Sequence, residues 1–187
     1  AKQQEEYAEQ LRDLAYNYDY LFQVTQKLTK AEQELSLLES KMEHASYEEK
    51  LDLLERQEEI YKSQLKLLEE QKRIQESMNR DRRNDLMKIG FEFDEDGFIK
   101  NYDKVIGAMY DKIQSTEGGA VRDEMIEDYD DLIAKVEEYN DSLANIKDSE
   151  QAWWEMNNAI KDAQQEQLNL VQEVQDSIAD AITNKWE

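Results

Sequence analysis

AVRDEMIEDYDDLIAKVEEYNDSLANIKDSEQAWWEMNNAIKDAQQEQLNLVQEVQDSIADAITNKWE, residues 120–187, decides the fold class. Met125, Tyr129, Leu132, Val136, Tyr139, Leu143, Ile146, Trp153, Ile160, Val171, Val174 and Ile178 fall in one unbroken alternation of fours and threes. The polar residues Glu150, Asn157, Gln164 and Gln167 occupy the remaining places of that alternation. Such spacing keeps one stripe of a helix apolar. It predicts a single helix of about 60 residues (about 120–185), about 90 Å long at ~1.5 Å per residue. Polar residues on the stripe point to register control or to a solvated part of the seam.

The same pattern opens the chain. Tyr7, Leu14, Leu21, Leu28, Leu35 and Met42 recur every seventh residue, with Leu11, Tyr18, Val24, Ala31 and Leu38 between them. That is a coiled-coil seam, in a helix expected over about 3–44. Ser46 with Glu49 forms a capping box that starts a second helix, 47–89. Its stripe, Tyr47, Leu51, Leu54, Tyr61, Leu65 and Leu68 with Leu53, Ile60, Leu67 and Ile74 beside it, is wider than one partner can cover. An antiparallel helical hairpin over 1–90 is the favoured arrangement, with one long rod as its alternative. Gly90 sits where a left-handed C-terminal cap ends this helix.

Between the two helical regions, Phe91-Glu92-Phe93-Asp94 alternates with period two, Glu95-Asp96-Gly97 is turn chemistry, and Phe98-Ile99-Lys100 returns. A β-hairpin over 91–101 is expected, held by packing of Phe91, Phe93 and one of Phe98 or Ile99 against helix ends. Asn101 is placed to cap a third helix, followed by a glycine-containing loop and the long helix, within 102–187. The fold class is therefore all-α: long antiparallel helical hairpins or coiled coil with a small β-hairpin insertion.

Composition agrees. The 187 residues include no proline and five glycines, so helices run uninterrupted. No apolar run is long enough to span a bilayer, so no membrane segment is expected. The start at Ala1, without an initiator methionine, and heptads running almost to Glu187 fit an excerpt of a longer chain. The net charge is −22, and residues 91–187 hold 25 acids against 8 basic residues. Direct nucleic-acid binding, which needs a basic stripe, is disfavoured. Arg80, Arg82 and Arg83 beside Asp81 and Asp85 read as charge pairing near a helix end.

Candidate chemistry is sparse. Glu92, Asp94, Asp96 and Asp103 imitate acidic positions of an EF-hand loop with Gly97 at its sixth place. Lys100 at a ligand position and the aromatic alternation favour the hairpin, so no metal or cofactor is expected. His44 has no catalytic companions at readable spacing. Adjacent carboxylates diverge around a helix, so no enzymatic site is expected. The residues expected at helix interfaces are Leu14, Leu21, Leu28, Leu35, Leu54, Tyr61, Leu68, Leu132, Val136, Tyr139, Leu143, Trp153 and Trp154, of which Trp154 lies off the seam.

The long helix, the capped second helix with Leu67-Leu68-Glu69-Glu70-Gln71, then Ile89-Gly90-Phe91-Glu92-Phe93-Asp94-Glu95-Asp96-Gly97-Phe98-Ile99-Lys100-Asn101-Tyr102-Asp103 and a further acidic helical pair, resemble coiled-coil segments of phage tail tape measure proteins. The likeness is clearest from Tyr47 to Ile113. It implies a structural virion component that sets tail length, made in the cytoplasm and resident in the particle interior. Partners implied are other virion components or further copies in a homo-oligomer. Other virion or prophage coiled-coil proteins share the features, and a cellular adaptor or tether is the alternative function.

Overall fold

The computed structural model describes residues 2–186, apart from the side chains of Gln10 and Leu11, so that seam position falls outside the described set. Four α-helices follow in order among these residues: α1 (Lys2–Met42), α2 (Tyr47–Ile89), α3 (Tyr102–Gln114) and α4 (Ala120–Trp186). The chain is all-α. Its residues divide into two compact units, one formed by residues up to Lys72 with those from Ser149 onward, the other by Arg73–Asp148.

The first unit contains α1, residues 47–72 of α2 and residues 149–186 of α4. Cross-ties fix their directions. Arg56 pairs with Glu34 and Glu70 accepts from the Tyr20 hydroxyl, so 14 residues forward along α2 match 14 backward along α1. Lys72 pairs with Glu150, Glu69 accepts from the Trp153 indole and Glu58 from Gln164, again step for step in opposite directions. Both α1 and α4 therefore run antiparallel to α2. The breadth of the α2 stripe now has its cause: Leu54, Ile60 and Leu68 are buried, and Tyr61 feels Glu39 of α1 and Glu166 of α4 at once.

The turn joining α1 to α2 is four residues long and is closed chemically. The Ser46 amide donates to Glu49 Oε2 at 3.2 Å, and the Glu49 amide donates to Ser46 Oγ at 3.3 Å. This is the reciprocal capping box read from the sequence.

In the second unit, α2 ends in a Schellman cap. The Phe91 amide reaches Leu86 O, the Gly90 amide reaches Met87 O, and Gly90 adopts φ +120°. The cap delivers Phe91 against Leu86, and these two form a core with Ile106 of α3 and Leu132, Val136 and Tyr139 of α4.

The expected β-hairpin over 91–101 does not form as two strands. Among the described residues a single antiparallel bridge joins Phe93 to Ile99. Lys100 donates to Glu92 O and Asp94 to Phe98 O, but the ladder goes no further, because other amides find different acceptors. The Phe91 amide serves the helix cap, the Glu92 amide donates to Asn101 Oδ1, and the Asp96 and Phe98 amides both donate to Asp94 Oδ1. Short polar side chains thus compete with strand pairing. Asn101 is corrected by the same observation. It precedes α3 but makes no side-chain cap, since its amide group is spent bridging Glu92 N and Gly90 O.

Candidate functional site

Three places carry concentrated side-chain chemistry. The first is the clamp on the 91–100 loop. Tyr139, with 0% exposure, donates its hydroxyl proton to the Gly97 carbonyl and receives a hydrogen bond from Asn79. Burial raises the pKa of this phenol, which keeps it a donor. Its ring meets Phe93 edge-on at 5.2 Å. Gly97 adopts φ +87°, and a Cβ there would lie 3.3 Å from the Tyr139 oxygen and 3.4 Å from Leu143. The glycine is therefore required for both conformation and close approach. Ile99 packs inward while Phe98 is exposed and carries Lys147 Nζ 3.9 Å above its ring.

The acids of this loop do not converge. Asp94 turns its carboxylate onto two backbone amides, and among the described residues no three His, Cys, Asp or Glu side chains gather as metal ligands would. Glu92, Asp94, Asp96 and Asp103 are thus not brought together as a ligand set. His44 is exposed in the turn after α1.

The second place is a polar tie between α2 and α4. Glu58 Oε1 accepts from Gln164 Nε2 at 2.8 Å and from Lys62 at 2.9 Å, while Oε2 accepts from Gln167 Nε2 at 2.8 Å. Gln167 also donates to the Leu54 carbonyl at 3.3 Å. Hydrogen bonds to the charged form, those from Gln164 and Gln167 above all, hold the Glu58 carboxyl down at about 2. Nearby Gln57 and Gln64 of α2 are buried, and Gln64, 2% exposed, has no partner for Oε1.

Third is a tryptophan pair. Trp153 is half-buried with its indole on Glu69 Oε1 at 3.1 Å, and Trp154 stands edge-on to it at 5.0 Å and is 60% exposed.

The residues expected at interfaces are distributed unevenly. Leu132, Val136, Tyr139 and Leu143 are buried in the second unit, and Leu54 and Leu68 in the first. Leu21, Leu28, Leu35 and Tyr61 are half-buried, whereas Leu14 is exposed. On α4 the expected stripe is buried at Leu132, Val136, Tyr139, Leu143, Ile146 and Ile160; one residue before its polar places, Ser149 and Ala163 are buried and Met156 is half-buried. The sequence carried a signal for these flanking places, since small or apolar residues stand at each of the three. The buried glutamines and the role of Glu58 were not read from the sequence, because a Gln or Glu in a charged helix gives no local sign of inward orientation.

Comparison with protein-family models, with curated proteins and with solved structures gives no match. Among the described residues no helix is long and apolar enough to cross a membrane.

Proposed function

We propose that this chain is a structural, non-enzymatic protein that works as a coiled-coil spacer, through helix length and side-to-side contacts. The observation that carries the reading is the fixed register of α2, tied on one side to α1 by Glu34–Arg56 and Tyr20–Glu70 and on the other to α4 by Glu58, Glu69 and Lys72. A shared central helix with cross-ties to both neighbours resists sliding, which is what a spacer needs. The likeness of residues 47–113 to tape measure segments supports a place in a phage particle, with tail length as the quantity set and other virion components or further copies as partners. A tether or adaptor that binds another protein is the second reading, favoured by the exposed indole of Trp154.

The test is a matched deletion of one heptad from α1, from α2 and from α4, all within the first unit, in the particle that carries the protein. A spacer of this kind shortens by about 10 Å per heptad at ~1.5 Å per residue, and tail length measured by electron microscopy falls with it. Unchanged tails of normal composition would overturn the tape-measure reading; normal tails lacking one associated protein would favour the tether.

A further inference from the structure

Asp96-Gly97 is the one place in the sequence where Asp or Asn precedes glycine. That dipeptide carries its own chemistry. The Gly97 nitrogen can attack Cγ of Asp96: a C–N bond forms, the C–OH bond of the protonated carboxyl breaks, and the amide proton leaves with the hydroxyl as water. The product is a cyclic succinimide. Water then adds to either ring carbonyl, giving back aspartate or leaving the main chain routed through Cγ as isoaspartate. Glycine favours the closure because it has no Cβ to hinder the approach. Only water is exchanged, so the reaction needs no partner.

The fold keeps the two reacting groups apart. Asp96 is exposed, so its carboxyl stands in water, whereas Gly97 is buried. The Gly97 amide donates to Asp94 O at 3.1 Å, which retains the proton that must leave for the nitrogen to attack. The Asp96 and Phe98 amides both donate to Asp94 Oδ1 at 2.9 Å, and the Gly97 carbonyl accepts from Tyr139. Peptide groups on both sides of the reacting bond are therefore pinned. Ring closure needs the chain to turn between Asp96 and Gly97, which breaks these hydrogen bonds together. The reaction then waits for local opening of the loop, and its rate scales with the fraction of time the loop is open. We propose that Asp96 is a modification site kept silent by the closed loop, with Tyr139 as the latch: closed, the loop retains aspartate; opened, it converts to isoaspartate. The change persists. Isoaspartate adds a methylene to the backbone, which shifts the Gly97 amide and carbonyl away from Asp94 and Tyr139, so the site records that the clamp has opened. This inference stands apart from the spacer role.

Trypsin releases the site in one peptide, residues 89–100, because Lys88 and Lys100 bound it. The intact chain and the same free peptide are incubated side by side at neutral pH for several weeks. Isoaspartate is then quantified by chromatography and electron-transfer mass spectrometry, which distinguishes it from aspartate at equal mass. Conversion should be roughly tenfold or more slower in the folded chain than in the peptide, and Tyr139→Phe should raise it roughly tenfold. Asp94→Ala frees the Asp96 and Phe98 amides and should accelerate it as well, reading the same opening from the other side of the loop. Asp96→Glu, which cannot close the five-membered ring, should give none. Circular dichroism establishes that each variant is folded. Equal rates in the folded chain and the free peptide overturn the proposal. So does a folded Tyr139→Phe or Asp94→Ala chain that converts no faster than the parent.

Discussion

Gly97 and Tyr139 hold the 91–100 loop by complementary demands. Gly97→Ala places a Cβ at φ +87° and 3.3 Å from the phenol oxygen, with a cost of about 1–3 kcal/mol measurable by urea unfolding. Tyr139→Phe keeps the ring against Phe93 but leaves the Gly97 carbonyl and Asn79 without their partner, costing about 1–3 kcal/mol. If Tyr139→Phe unfolds like the parent, the hydroxyl contributes nothing and the clamp is packing alone. Glu58 supplies a pH dependence of defined sign. Its carboxyl titrates at about 2 in the folded chain and near 4.5 otherwise, so the stability it adds is present above about pH 4.5 and drains away as pH falls toward 2. Glu58→Gln should show a shallower fall of Tm across that window, read by circular dichroism melts. Gln64 works in the other direction: its buried Oε1 lacks a partner, so Gln64→Leu should raise stability by about 1–2 kcal/mol while loosening the register that a buried polar group enforces.

At the scale of elements, the helix boundaries rest on local chemistry. Ser46→Ala removes the hydroxyl that accepts the Glu49 amide and should cost about 1 kcal/mol, with loss of helicity at the start of α2. The caps were readable because a serine three residues before a glutamate, or a glycine after an apolar turn, has a meaning that does not depend on distant residues. The fate of 91–101 was not readable in the same way. Alternating aromatics ask for strands, but Asp94 and Asn101 capture the amides that a ladder needs, and Phe91 follows the cap into the core. Register on α4 was legible in period and in phase as far as Ile160, since Leu132, Val136, Tyr139, Leu143, Ile146 and Ile160 are all buried. Beyond it the polar places depart from the stripe: Ala163 is buried, while its neighbour Gln164 reaches Glu58. Glu58 itself looked like one more solvated carboxylate, and became a hub only once two helices brought Gln164 and Gln167 to it.

For the molecule as a whole, the all-α class followed from the absence of proline and the continuity of heptads, while the division into two units did not. Units are defined by which segments touch, and α2 and α4 each lend residues to both without any break in their heptads. The claim on which the functional reading stands is that α2 lies in one antiparallel register between α1 and α4 of the same chain. With no cysteine in the sequence, paired substitutions can be placed cleanly. Lys72→Cys with Glu150→Cys, and Glu34→Cys with Arg56→Cys, replace partners of observed ion pairs, and Lys72→Cys with Asn157→Cys is displaced by seven residues, about 10 Å along the helix. Treated with a short thiol-specific crosslinker, the first two pairs should join within a single chain and the displaced pair should not. Equal linkage of the displaced pair, or linkage only between chains, would contradict the account.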